Sequence, residues 1–74
     1  MPEIFYTRHS KNRMRWRGIS RESVELTINS PEKIEDMGND QFNFYKSINE
    51  INYKVVCLKE TDRYIILSAI KIRG

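Results

Sequence analysis

A chain of 74 residues has room for one hydrophobic core, so residues 1–74 are expected to form a single domain. With 39% hydrophobic and 31% charged residues, no stretch approaches the roughly 18 apolar residues of a membrane span, which excludes a transmembrane helix and points to a soluble protein without membrane partners. The formal net charge of +3 is unevenly spread: residues 1–21 set Arg8, Lys11, Arg13, Arg15, Arg17 and Arg21 against Glu3 alone, while the remainder carries more acids than bases.

Ile4 to Tyr6 is a short apolar and aromatic run that suits a first strand or an extended arm. From Thr7 the chain turns to helix-compatible residues, with Thr7 placed to cap the first turn and Gly18 to end the last one. Ser20 offers a second N-cap, Glu22 suits the positive end of the helix dipole, and Val24 and Ile28 share one helical face. This second helix is expected to reach Asn29, because Ser30 precedes Pro31 and is steered out of helical geometry. Asp36 to Asp40 carries the chemistry of a loop.

Beyond the loop the period changes to two. Phe42, Phe44, Lys46 and Ile48 alternate with Asn43, Tyr45 and Ser47, so one face is apolar until Lys46 interrupts it, and Asn49-Glu50 reads as a two-residue hairpin turn. That turn sets Phe44 opposite Val55, Phe42 opposite Cys57 and Tyr45 opposite Lys54. The first two pairs belong to a helix-covered face, leaving Asn43, Tyr45, Ser47 and Lys54 on the open one. Tyr53 to Lys59 and Tyr64 to Ile72 are the remaining strands. The last is apolar on both faces, as a central strand is, or one that meets a second copy or a partner protein. The order is β-α-α-β-β-β, an α+β domain with two short helices packed on one face of an antiparallel sheet of three to four strands.

Cys57 has no second cysteine to pair with, and a lone histidine leaves no Cys/His set for zinc, so no metal or cofactor is expected. The N-terminal residues lack the basic and apolar segments of a secretory signal, which places the chain in the cytoplasm.

Candidate chemistry falls into two groups. His9, Arg13 and Arg17 lie along one helical stripe with Trp16 beside them. Clustered guanidinium groups suit phosphate, the imidazole is a candidate general base, and an indole among arginines can stack a base or ribose. A solvated basic helix face with Trp16 in packing is the plainer alternative. The second group is Tyr45, Lys46 and Lys54, whose phenol and amines can bind phosphate or protonate a leaving oxygen. Tyr45 and Lys46 are neighbours on one strand and must point to opposite faces unless a bulge intervenes. Ser68 puts a hydroxyl into an otherwise apolar strand. No Ser-His-Asp set and no glycine-rich phosphate loop is present.

The run Phe5-Tyr6-Thr7-Arg8-His9-Ser10, continued by Arg13-Met14, Arg17-Gly18-Ile19-Ser20, Val24 and Ser30-Pro31, resembles a bacterial and archaeal family designated domain of unknown function 4258. The likeness extends more loosely over the Tyr45-Lys46, Lys54-Val55-Val56 and final strands. It implies a curved sheet of the RelE, barnase and colicin type, a group of metal-independent ribonuclease-like domains that includes toxins of toxin–antitoxin pairs. His9, Arg13, Arg17, Tyr45, Lys46 and Lys54 fall on the family's recurring positions, and Ser68 stands where a small hydroxyl residue is expected.

The function this implies is metal-independent endoribonuclease activity, in which a ribose 2′-hydroxyl attacks the adjacent phosphate. His9 is then the base, Arg13, Arg17 and Lys54 the cations, and Tyr45 or Lys46 the acid or a further phosphate contact, with Trp16 and Ser68 assisting substrate binding. RNA is the expected partner, with an antitoxin protein as a second. The alternative is a non-catalytic RNA- or protein-binding module of the same fold.

Overall fold

The computed structural model describes residues 3–72. Its elements in chain order are β1 (Glu3–Tyr6), α1 (Arg8–Arg17), α2 (Arg21–Asn29), β2 (Lys33–Gly38), β3 (Gln41–Ile48), β4 (Ile51–Lys59) and β5 (Arg63–Ile72). The strands form one sheet in the order β1-β5-β4-β3-β2. Neighbours run antiparallel except β1, which lies parallel to β5. The α+β class and the helix order stand as expected. The sheet is five-stranded and mixed, where three to four antiparallel strands were expected.

Both helices begin and end on the anticipated side chains. The Thr7 hydroxyl oxygen accepts from the Ser10 amide at 3.1 Å and donates to the Ile66 carbonyl at 3.2 Å, so one cap both starts α1 and ties it to β5. Gly18 closes α1 at φ 66°, a left-handed conformation that costs glycine little. Ser20 caps α2 by accepting from the Ser23 amide at 3.1 Å.

The additional strand β2 takes in Asp36 to Gly38 of the segment read as a loop; only Asn39 and Asp40 form the turn, with φ of 54° and 63°. Its residues are nearly all exposed, and Asp36 and Gly38 are poor strand formers. Pairing with β3 rather than propensity makes it a strand. The next turn is Asn49-Glu50, again with positive φ at both central residues, which matches the twist of a two-residue hairpin. It produces the expected register of Phe44 with Val55, Phe42 with Cys57 and Tyr45 with Lys54. Between β4 and β5 the register slips: Val56 faces Ser68 and Cys57 faces Ile66, leaving Leu67 as the extra residue of a bulge.

The core lies between the helices and one face of the sheet. Met14, Ile19, Val24 and Ile28 meet Phe44, Val55, Cys57, Ile66 and Ala69, and α1 packs mainly on β5 while α2 packs on β3 and β4. No helix of the described residues is long and apolar enough to cross a membrane.

Burial pushes the Cys57 thiol up to about 12, and its side chain is fully enclosed. Native protein is therefore expected to resist a thiol-specific reagent at neutral pH, with modification following the rate of opening. Immediate stoichiometric labelling of folded protein would contradict that placement.

Candidate functional site

The α1 stripe is set by which residues the helix must bury. Ser10 and Met14 face the sheet, which turns His9, Arg13 and Trp16 onto one solvent-facing flank, each three or four residues from the next. Trp16 is 88% exposed, an unusual position for the largest apolar side chain in the protein. None of the side-chain hydrogen bonds or ion pairs among the described residues engages His9, Arg13 or Trp16. Arg17, the stripe's last member, is half-buried, and its Nη1 donates to the Ala69 carbonyl at 3.0 Å, which fastens the end of α1 to β5. Tyr6 and Arg21 adjoin the helices: the Arg21 guanidinium lies 5.1 Å from the Tyr6 ring centre.

Tyr45 and Lys54 stand on the opposite face of the sheet, because their neighbours Phe44 and Val55 point into the core. Ser68 shares that open face through its pairing with Val56. Lys46, expected as a companion of Tyr45, faces the helix side. With no bulge in β3 the strict alternation holds, and its Nζ donates to the Ser30 carbonyl at 2.7 Å, at the negative end of α2. The six residues expected in one catalytic site are thus divided. His9, Arg13, Arg17 and Lys46 belong to the helix side, and Tyr45 and Lys54 to the open face.

The open face also holds a residue that sequence reasoning passed over. Glu35 of β2 pairs with Asn43, and its Oε1 accepts both the Tyr45 hydroxyl and, at 3.4 Å, Asn43 Nδ2. Among the described residues its Oε2 has only Lys33, 4.0 Å away. The Lys33 ammonium lies 5.4 Å from the Tyr45 ring centre. Asn43 is 4% exposed, and its Oδ1 is buried without a donor among the described residues. The signal that could have exposed this cluster is the alternation Lys33-Ile34-Glu35, a period of two hidden by the polar residues after it.

The Tyr45 hydroxyl, then Asn43, hold the Glu35 carboxyl below its ordinary range, helped by the charges of Lys33 and Lys54; the same bond to Glu35 raises the Tyr45 phenol. A depressed carboxyl stabilises the fold above its unfolded value and loses that contribution as pH falls through the folded value. Tyr45→Phe is expected to move the Glu35 titration upward, toward the ordinary carboxylate range, as read by carboxyl carbon NMR. An unmoved titration would show that the hydroxyl is not its main support.

The model of the family described as Domain of unknown function (DUF4258) matches residues 6–71. No curated protein and no solved structure matches the chain significantly. The matched span runs from the last residue of β1 to the penultimate residue of β5, taking in both helices and the open sheet face, and the chain belongs to the DUF4258 family.

Proposed function

We propose that this domain binds single-stranded RNA along the outer flank of α1. The observation that carries the reading is Trp16, 88% exposed beside Arg13 and His9 on the most basic segment of the chain. An exposed indole provides a stacking surface for a base of any identity, and the neighbouring guanidinium groups provide the phosphate contacts. Because Trp16 is the single tryptophan, its fluorescence reports the flank directly. Titration with a mixed oligoribonucleotide is expected to quench it, with affinity falling as salt rises by a log–log slope of about −0.7 per phosphate contacted. Emission that does not respond to RNA at low salt would overturn the reading.

A second reading, metal-independent cleavage, is favoured by His9 standing one helical turn from Arg13 with both side chains unengaged among the described residues. In it the 2′-hydroxyl gives its proton to His9 as its oxygen bonds to phosphorus, Arg13 offsets the charge on the phosphate, and the 5′-oxygen leaves with a proton from an acid. Tyr45 and Lys54 can supply that acid only to an RNA that passes around the edge of β5. Beyond Ile66 no strand among the described residues pairs with this edge, and Arg17 reaches it at the Ala69 carbonyl. Such a domain would act in the cytoplasm as the toxin of a toxin–antitoxin pair, its antitoxin protein being the second partner. RNA fragments with 2′,3′-cyclic phosphate ends, formed in EDTA and absent with His9→Ala, are the expected products; intact RNA with the native protein would reject cleavage.

A further inference from the structure

The open sheet face holds polar groups that the α1 flank does not use, arranged in rows by strand register. One row runs Ser68, Val56, Asn43, Glu35, and the next runs Ile70, Lys54, Tyr45, Lys33. Acceptors therefore sit together, with an amine on either side of Tyr45. The unfilled capacity is all of one kind. Among the described residues, Glu35 Oε2 has no donor within hydrogen-bond distance, its nearest cation being Lys33 at 4.0 Å, and Asn43 Oδ1 has no donor either. Turning the Asn43 carboxamide over does not remove the deficit, because it would set an oxygen against the Glu35 carboxylate.

A ligand matched to this arrangement presents hydrogen-bond donors at its centre and negative charge at its flanks. Among the RNA bases, guanine alone carries two adjacent donors, the ring N1–H and the exocyclic amino group. Uracil has one ring N–H between two carbonyls, while adenine and cytosine place an acceptor next to their amino group. We propose that the Glu35, Asn43 and Tyr45 cluster is a guanine-selective base site, in which Glu35 Oε2 and the neighbouring acceptors take the donor edge while Lys54 and Lys33 hold the adjoining phosphates. This deepens the RNA-binding reading and rests on it for the source of the base. The side chains of Val56 and Ile70 give the site an apolar border next to the amines. Asn43 Oδ1 is buried and has no hydrogen-bond donor among the described residues.

The test uses the full chain labelled with 15N and titrated separately with the 5′-monophosphates of guanosine, adenosine, cytidine and uridine. Guanosine monophosphate is expected to shift the amides of residues 35, 43, 45 and 54 and to bind ~10-fold or more tightly than the others, the discrimination a paired base contact supplies. Glu35→Gln, which replaces an acceptor by a donor, should abolish that preference. Lys54→Ala should weaken all four nucleotides alike, separating phosphate from base recognition. A retained melting midpoint in each variant establishes that the fold is unchanged. Equal binding of the four nucleotides, or no shift on the open face at millimolar concentration, overturns the base site. If Trp16 fluorescence still responds to RNA in that case, the α1 reading survives alone; if it does not, both fall.

Discussion

Ile66→Ala is expected to remove a large part of the protein's stability. Ile66 has no exposed surface and lies on β5 where three parts of the fold converge: β1 through Tyr6, β4 through Cys57, and α1 through the bond from Thr7 to the Ile66 carbonyl. Removing a buried isoleucine down to its β-carbon costs about 2–5 kcal/mol, depending on how far the surroundings close on the void. A domain this small commonly holds only about 5 kcal/mol in total, so one such change takes from about two-fifths of it to nearly all. The urea midpoint should fall sharply with little change in slope, and Ile66→Val should lose only a fraction as much. A near-native midpoint for Ile66→Ala would mean that the centre of β5 is not where the core is densest.

Trp16→Ala is expected to do the reverse, weakening RNA binding while leaving stability almost untouched. An 88% exposed side chain contributes little to packing, so the thermal midpoint should correspond to within about 0.5 kcal/mol of the native one. Loss of one stacked base costs about 1–3 kcal/mol, or roughly 5- to 150-fold in affinity. Anisotropy of a labelled oligoribonucleotide provides the measurement, since the variant has no tryptophan left to observe. Trp16→Phe should recover most of the loss and Arg13→Ala should lower the salt slope by about 0.7, the contribution of one phosphate contact on a single strand. Unchanged affinity in Trp16→Ala would remove RNA from the α1 flank.

What could be read in advance was whatever the chain decides locally. Thr7, Gly18 and Ser20 mark the helix boundaries because caps act within three or four residues. Asn49-Glu50 aligns β3 with β4 because a two-residue turn admits one register. The parallel pairing of β1 with β5 was not accessible in this way, since it joins segments separated by most of the chain and no short-range pattern encodes it. Strand β2 escaped for a related reason, its strand geometry being imposed by β3. Glu35 went with it, because a carboxylate becomes notable only once a cross-strand tyrosine and asparagine are known to point at it. Lys46 shows the opposite case. Alternation alone was enough to separate it from Tyr45, and its bond to Ser30 explains what it does on the other side.

The position of β1 also bears on the order in which the fold is acquired. Strands β2 to β5 form a meander of neighbouring hairpins that close over short loops, whereas β1 and the Thr7 cap of α1 complete their contacts only against β5. Closing so long a loop costs entropy that local pairing does not, and contacts of this kind form late and slowly. During synthesis from the N-terminus, the basic segment that carries His9, Arg13 and Trp16 emerges early yet has no surface to dock on until residues 63–72 have followed. The α1 flank is therefore organised only once β5 is in place, after the local hairpins of the sheet have offered it a surface.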